Sequence, residues 1–326
     1  MKEFIIQEND SGQRLDKFLR KAAPELPSGM MYKFLRTKKI KVNKKRAEGS
    51  QMLNENDVVS CFINDDFFPQ EKNSYLKTKK HSFTDAPAEI DMVYEDENIL
   101  IVYKPQGLVV HDDDHDTSDT LIARVLHYLY KKGSYTPQSE QSFTPALCNR
   151  LDRNTSGLVI AAKNAAALRE MNRLIREDRI HKSYLCITVS PPPKKQDTIR
   201  AYHMKPQNGK TVKISSRKLD GYKEIITGYN VLSRNENLCL VKIDLITGRT
   251  HQIRAHMAFV GAPLLGDDKY GKPDINRKYN AKYQQLCAYR LVFEPEKDSS
   301  LGYLSGKRFT CELPPFVKRF FPYFIL

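Results

Sequence analysis

The sequence predicts an α+β fold in two parts, a large body on a mixed, mostly antiparallel sheet and a small N-terminal α/β module. After residue 87, strand-like segments outnumber helical ones and alternate with them irregularly, which is typical of α+β proteins. Before that point lies a polar stretch without hydrophobic periodicity, which indicates a linker. We therefore predict a module at 1–63, a linker at 64–87 and a body at 88–326.

The first part contains two short helices and two strands. A helix is predicted at 14–23, where apolar residues recur on one face. A second helix is predicted from Ser28, as the N-cap, to residue 38. Strands are expected at 40–43 and 58–63, with a basic turn after the first of them.

In the body, the apolar patterns predict strands at 92–95 and 99–103 around an acidic turn. A buried strand at 156–164 precedes an amphipathic helix within 167–180. A further strand at 181–190 ends at three prolines. The stretch LCLVKIDLITGRTHQIRAHMAF then predicts a strand, a Thr-Gly turn and a helix.

The composition predicts a soluble, cytoplasmic protein with a polyanionic partner. Lys and Arg number 53 against 39 Asp and Glu, a net charge of +14, which favours nucleic acid or an acidic membrane surface. We see no signal peptide and no apolar run long enough for a membrane span, so we expect no membrane association. The six cysteines form no C-x-x-C pair and are expected to be free, buried thiols.

A run of basic residues covers the second helix and the strand after it. Between residues 30 and 46 there is no acid, although such charge runs are usually only solvated faces. The lack of a compensating carboxylate favours phosphate binding. The eight basic residues are Lys33, Arg36, Lys38, Lys39, Lys41, Lys44, Lys45 and Arg46.

The N-terminal part resembles the alpha-L RNA-binding motif. The similarity rests on RLDKFLRK, YKFLRTKKIKVNKK and LNENDVV, and it covers about residues 12–60. Its main feature is a short basic helix that runs directly into an I-x-V-N strand. The resemblance implies that this module contacts RNA through residues that include Lys33, Arg36, Lys38, Lys39, Lys41 and Asn43.

Asp152 lies in CNRLDRNTSG between Arg150 and Arg153. A structural ion pair at a strand end is one interpretation, because such pairs outnumber catalytic carboxylates. The other is a nucleophile or acid–base group that nearby guanidinium groups keep ionised. The local residues leave both open.

Three other features could carry chemistry. HDDDHD at 111–116 could ligate a metal, but its residues share no single face, and an acidic surface loop is the default. In TGRTHQIRAH at 247–256, basic groups crowd a predicted helix start, which suits either an anion site or a surface ion-pair cluster. The third is Tyr184, inside an otherwise buried strand, where most tyrosines are core aromatics with a satisfied hydroxyl.

Taken together, NRLDRNTSGL, KSYL and GRTHQIRAH, in this order, resemble the RluA-type family of pseudouridine synthases. KPQGLVVH, GAPLLGDDKYG and LCAYRLVF add further similarity, which extends from about residue 90 to 315. An alpha-L module before the catalytic domain is common in this family.

The resemblance implies an isomerase that converts uridine to pseudouridine in structured RNA, with large-subunit ribosomal RNA favoured. Asp152 would be the nucleophile, attacking either C1′ of the ribose or C6 of the base. Arg254 would pair with Asp152 and offset the cost of burying its charge. Tyr184 would stack on the extruded uracil. We expect a monomer that uses no metal and no small-molecule cofactor.

The same resemblance assigns RNA contacts outside the catalytic trio. These residues are Arg150, Arg153, Arg249, His251 and Gln252. One position departs from the family, which usually has His where this chain has Asn149. Asn149 allows two interpretations. It could alter a loop or an RNA contact in an active enzyme, or the chain could be a non-catalytic RNA-binding factor of ribosome assembly. A metal-dependent RNA hydrolase using HDDDHD is a third, weaker alternative.

Overall fold

The computed structural model describes residues 1–68, 77–78, 81–112, 117–207, 209 and 211–325. The helices and strands, in chain order, are β1 (Lys2–Ile5), α1 (Leu15–Ala22), α2 (Ser28–Arg36), β2 (Ile40–Val42), β3 (Lys45–Arg46), β4 (Val58–Cys61), β5 (Lys77–Thr78), β6 (His81–Ser82), β7 (Asp91–Glu95), β8 (Ile99–Lys104), α3 (Leu121–Lys131), β9 (Ala146–Leu147), β10 (Ser156–Ala162), α4 (Ala165–Arg176), β11 (Ile180–Thr188), β12 (Gln196–Met204), β13 (Lys213–Ser215), β14 (Lys223–Arg234), β15 (Cys239–Leu245), α5 (Gln252–Phe259), α6 (Pro273–Lys278), β16 (Leu286–Phe293), β17 (Arg308–Thr310) and α7 (Pro315–Phe320).

The N-terminal residues form a small antiparallel sheet in the order β1-β4-β2-β3, with α1 and α2 packed on it. Phe18 of α1 and Leu35 of α2 belong to the buried cluster that covers this sheet. Strands β2 and β3 are joined by Asn43 and Lys44, whose φ values of 51° and 62° fit a two-residue type I′ hairpin turn.

The start of α2 differs from the prediction. Pro27 is the N-cap, and Ser28 is the first helical residue. The carbonyl of Pro27 already accepts the N–H of Met31 at 3.0 Å, so the helical hydrogen bonds begin one residue earlier than the Ser28 signal suggested. The helix ends at Arg36 instead of residue 38.

The body confirms the predicted α+β class. Its strands form a large sheet in the order β13-β12-β14-β15-β11-β16-β10-β8-β7, with β17 added to β16 and β9 to β10. Within the described residues, the pairing is antiparallel except between β10 and β16. The sheet is therefore mixed and mostly antiparallel, as the strand-rich pattern indicated.

Both faces of the sheet are covered, as the alternation along β8 shows. Leu100 and Val102 pack in a cluster with α3 and α5, whereas Ile99 and Ile101 pack on the other face with α4. Tyr184 of β11 lies in the cluster with α5. In the part of the chain that is described, no helix is long and apolar enough to cross a bilayer.

Four neighbouring strands bring distant motifs together. β10, β16, β11 and β15 are adjacent in the sheet, and α5 follows β15. Gly157 permits the close approach of β10 to β16, because its φ is 121° and a Cβ there would lie 2.3 Å from the carbonyl oxygen of Ala288. The loop that carries Asp152 leads directly into this glycine.

Candidate active site

Asp152 and Arg254 form an ion pair at the centre of the candidate site. Nη1 of Arg254 donates to Oδ2 of Asp152 at 3.0 Å. The side chain of Asp152 is 29% exposed, whereas that of Arg254 is 4% exposed. The pairing that the family resemblance implied is thus present, and it leaves a carboxylate that solvent and a ligand can reach.

Arg254 is held by two further carboxylates. Its Nε and Nη2 donate to the two carboxylate oxygens of Asp267 at 2.7 and 2.8 Å, and Nη2 also donates to Asp268 at 2.9 Å. Burial opposes the charge of Arg254, but the bonds and charges of Asp267 and Asp152 outweigh burial and raise the pKa of the guanidinium. Arg254 therefore stays charged beside Asp152.

Backbone contacts fix the loop around Asp152. Thr155 donates its N–H to the carbonyl oxygen of Asp152 at 3.0 Å. The ammonium of Lys104, which is fully buried, donates to the carbonyl oxygens of Pro105, Leu108 and Arg153 at 2.9, 2.7 and 2.9 Å. Lys104 thereby ties the 105–108 turn to the Asp152 loop. Burial lowers the pKa of Lys104 to about 7, against the opposing effect of the Asp152 charge.

Asn149 also supports this loop. Its Oδ1 accepts the N–H of Ile160 at 2.8 Å and its Nδ2 donates to the carbonyl oxygen of Leu158 at 3.3 Å. The side chain thus pairs with the backbone of β10, as another strand residue would. The geometry favours loop support for Asn149 over a direct part in the chemistry.

Tyr184 lies in the middle of β11, where the pairing with β16 shifts register between Ser183 and Tyr184. Such an irregularity redirects the side chains beside it. Tyr184 is 6% exposed and packs in the same cluster as Leu151 and Ile253, the neighbours of Asp152 and Arg254 in sequence. Burial, and then the nearby charge of Asp152, raise the pKa of the Tyr184 phenol, which therefore stays protonated at neutral pH.

His251 stands beside the ion pair in a left-handed conformation, with φ 52°. Its Nε2 lies 4.0 Å from Oδ2 of Asp152, and its Nδ1 lies 3.0 Å from the hydroxyl of Tyr270. That hydroxyl accepts the N–H of Val212 at 2.8 Å, so its own proton can be donated to Nδ1. Burial lowers the pKa of His251, which favours a neutral ring with its proton on Nε2, facing Asp152.

The remaining residues predicted to contact RNA divide into exposed and buried groups. Arg150, Arg153 and Arg249 are exposed. Gln252 is 2% exposed. Its Oε1 accepts from Thr247 and from the N–H of Arg249, and its Nε2 donates to Ile226 and Thr227. Because these bonds occupy the amide, Gln252 stabilises the turn before α5.

The basic residues of the N-terminal module lie on its surface. Lys33, Arg36, Lys38 and Lys39 are exposed, and Lys41 is half-buried with its ammonium 5.4 Å from the ring centroid of Phe62. Asn43, in the turn between β2 and β3, uses its side chain to bond to the start of β4. Its Nδ2 donates to Asp57 at 2.7 Å and its Oδ1 accepts the N–H of Val58 at 2.8 Å.

Among the described residues, no group of three or more His, Cys, Asp or Glu side chains is placed to hold a metal ion. Residues 113–116 of the HDDDHD segment lie outside the described residues. Within the described part of the chain the cysteines are free, although Cys148 and Cys311 are half-buried instead of buried as predicted.

Asp267 and Lys104 are site residues that no sequence motif predicted. Both lie in stretches that carried the family resemblance, GAPLLGDDKYG and KPQGLVVH. A usable signal was the acid directly after Gly266 in an apolar context, because an acid there is expected to be paired when it is buried.

Comparisons with known proteins show which proteins the sequence of this chain resembles. A family model described as RNA pseudouridylate synthase matches residues 98–259. The chain is 34% identical over 311 residues to an uncharacterized RNA pseudouridine synthase of Mycoplasma capricolum subsp. capricolum, covering 94% of this chain and 96% of the relative. It is 34% identical over 310 residues to ribosomal large subunit pseudouridine synthase C of Rickettsia conorii, covering 91% and 96%.

A solved structure shows the same fold. The chain aligns with human RNA pseudouridylate synthase domain containing 1 at a TM-score of 0.55, covering 74% of this chain and 89% of the other. The two are 22% identical in sequence, so this likeness concerns the fold alone.

Proposed function

Because the chain belongs to the RNA pseudouridine synthase family, we propose that it converts specific uridines of large-subunit ribosomal RNA to pseudouridine, with Asp152 as the nucleophile. The observation that carries this proposal is the ion pair between Asp152 and Arg254. It combines a reachable carboxylate with a buried, charged partner. The Rickettsia conorii relative, named for the ribosomal large subunit, supports the choice of RNA.

The reaction breaks the bond between N1 and C1′ and forms a bond between C5 and C1′. C5 loses a proton and N1 gains one, so that the product is an isomer of the substrate. Asp152 forms a transient covalent bond to C1′ of the ribose or to C6 of the base. On C1′ it is displaced as the new C5–C1′ bond forms, whereas from C6 it is eliminated afterwards, as C5 loses its proton. Arg254 keeps the carboxylate in place. Tyr184 stacks on the extruded uracil, and its phenol lies near enough to Asp152 for the carboxylate charge to raise the pKa of the phenol.

Phosphate contacts supply the energy for extraction of the base. Moving a paired or stacked uridine into the site requires about a few kcal/mol. We assign these contacts to Arg150, Arg153 and Arg249 around the site, together with the exposed lysines and arginine of the module. His251, with a proton on Nε2, is suited to donate a hydrogen bond to the nucleotide.

In this proposal, residues 1–63 form the alpha-L RNA-binding module, residues 64–87 the linker and residues 88–326 the catalytic domain. The protein acts as a monomer in the cytoplasm. We expect it to need no cofactor, because the isomerisation has no net redox change and adds no group to the nucleoside.

Tritium release from large-subunit ribosomal RNA labelled at uracil C5 tests this function. The wild type should release label in the presence of EDTA, and Asp152→Asn should reduce release by at least about a thousandfold while RNA affinity stays within about twofold. Asp274→Asn, at a 91% exposed carboxylate on α6, is the matched control and should keep wild-type activity. Release by Asp152→Asn would reject the nucleophile. Release from transfer RNA but not from ribosomal RNA would reject the substrate.

A further inference from the structure

The buried carboxylate of Asp267 binds the guanidinium of Arg254 at the edge opposite to the one that contacts Asp152. Asp267 takes Nε and Nη2 of Arg254 at 2.7 and 2.8 Å, which leaves Nη1 for Asp152 at 3.0 Å. We propose that Asp267 is a positioning residue for the isomerisation, because it fixes the orientation of Arg254 that presents a single N–H to Asp152. This inference rests on the proposed role of Asp152 as the nucleophile.

The shape of the guanidinium limits how Arg254 can be oriented. The group is planar and its donors are fixed relative to one another. Two parallel bonds to one carboxylate therefore define both the plane and its rotation. With the Nε–Nη2 edge held by Asp267, the direction of Nη1 is no longer adjustable. Arg254 consequently meets Asp152 through Oδ2, and Oδ1 stays outside this ion pair.

Asp267 is itself firmly placed. Its Oδ1 accepts the N–H groups of Lys269 and Tyr270 at 2.9 and 3.0 Å, and its carbonyl oxygen accepts Nδ2 of Asn276 at 3.0 Å. Gly266, directly before it, has φ 78°, and a Cβ there would lie 2.0 Å from the carbonyl oxygen of Tyr283. The backbone can adopt this close approach only with glycine.

The neighbouring acid provides a contrast. Asp268 also reaches Arg254, but through one bond to Nη2 at 2.9 Å, and its side chain is 63% exposed. One exposed contact neither sets the plane of the guanidinium nor resists competition from water. Without Asp267, the guanidinium of Arg254 is free to rotate and to donate to both carboxylate oxygens of Asp152. Oδ1 of Asp152 would then be hydrogen-bonded and no longer available to attack the substrate.

The test is a double-mutant cycle on tritium release from C5-labelled large-subunit ribosomal RNA, with kcat and KM measured separately. Asp267→Asn keeps the size of the side chain but places an amide NH2 against a guanidinium N–H. It should lower kcat by about 100-fold, since a misplaced catalytic group has an effect of this order, and leave KM within about twofold. Asp268→Asn should lower kcat by less than about fivefold.

The double variant separates positioning from stability. If Asp267 acts through Arg254, then Asp267→Asn with Arg254→Lys should be no slower than Arg254→Lys alone. A purely structural role would instead multiply the two losses. All variants are assayed at least 10 degrees below their measured unfolding midpoints. If Asp267→Asn does not fold, Asp267→Glu keeps the charge but displaces the carboxylate, and it should show the same selective loss of kcat.

Two results distinguish this inference from the function beneath it. Wild-type kcat in Asp267→Asn, or multiplicative losses in the double variant, would overturn the positioning role while the nucleophile stands. Full activity of Asp152→Asn would reject the nucleophile on which the positioning role rests, and no release of label by the wild type would overturn the proposed function itself.

Discussion

Nη1 of Arg254 lies 3.0 Å from Oδ2 of Asp152, although 102 residues separate the two in the chain. The arginines next to Asp152 in sequence, Arg150 and Arg153, are exposed instead. The chemical partner of the carboxylate is therefore supplied by α5, across the sheet.

Arg254→Lys should lower kcat by about 100-fold, because an ammonium cannot bond to Asp267 through two parallel donors and reach Asp152 as well. Arg277→Lys is the matched control, since Arg277 is 76% exposed and pairs with Asp274 on the surface. Steady-state tritium release measures both. Equal rates for Arg254→Lys and the wild type would show that the orientation of the guanidinium is unimportant.

Asn149→Ala should slow single-turnover modification by about tenfold, because the N–H of Ile160 loses its acceptor and the Asp152 loop loosens. Asn149→His restores the residue usual in the family and should stay within about threefold of wild type, since an imidazole nitrogen can accept the same N–H. If the histidine variant were far faster than the wild type, Asn149 would be a change in chemistry instead of loop support.

Gly157→Ala should destabilise the protein by at least about 2 kcal/mol, because the new methyl group would overlap the carbonyl of Ala288 at an unfavourable φ. In Gly228→Ala, by contrast, the nearest atom would be 3.5 Å away, and we expect a change below about 1 kcal/mol. Urea unfolding compares the two. Similar losses at both positions would remove the argument that β10 needs glycine to approach β16.

His256 should make the protein less stable in mild acid. It is 1% exposed, and burial lowers its pKa to about 4. At pH values between about 6.5, the pKa of histidine in the unfolded chain, and about 4, the unfolded chain binds a proton that the folded protein does not. The free energy of unfolding therefore falls as the pH falls through this range. The full effect is about 3 kcal/mol.

Urea unfolding at pH 7.5, 5.5 and 4.5 measures this slope. In His256→Gln the contribution of this imidazole to the pH dependence should disappear. The free energy of unfolding should then fall less steeply below about pH 6.5 than in the wild type. Leu219→Gln is the control, because Leu219 is 49% exposed and carries no titratable group. An unchanged slope in His256→Gln would mean that other groups cause the acid sensitivity.

Exchange of Lys33, Arg36 and Lys38 for glutamine should weaken RNA binding and reduce the slope of log K against log salt by about 2 to 3, since each lost phosphate contact removes about 0.7 to 0.9. Arg176, Lys297 and Lys318, exposed residues of the body, form a control triple with the same charge change. Filter binding at several salt concentrations gives both slopes. Equal losses in the two triples would indicate only a general charge effect.

The sequence alone determined the fold class and the catalytic candidates. Alternation of apolar residues predicted the strand-rich body, because periodicity reports which face of an element is buried. The local motifs around Asp152, Tyr184 and Arg254 identified the family, since each motif is short and contiguous. The basic run at 30–46 could also be identified from the sequence, because the charge of a side chain does not depend on packing.

Only the tertiary structure decided how these residues meet. The order β10-β16-β11-β15 brings Asp152 to Arg254, and no local pattern encodes that order. Burial then separated residues that look alike in sequence: Gln252 is used up by internal hydrogen bonds, and Asp267 is buried against Arg254 while Asp268 is exposed. Hydrogen-bond partners and exposure arise from long-range packing, which residue spacing along the chain does not record.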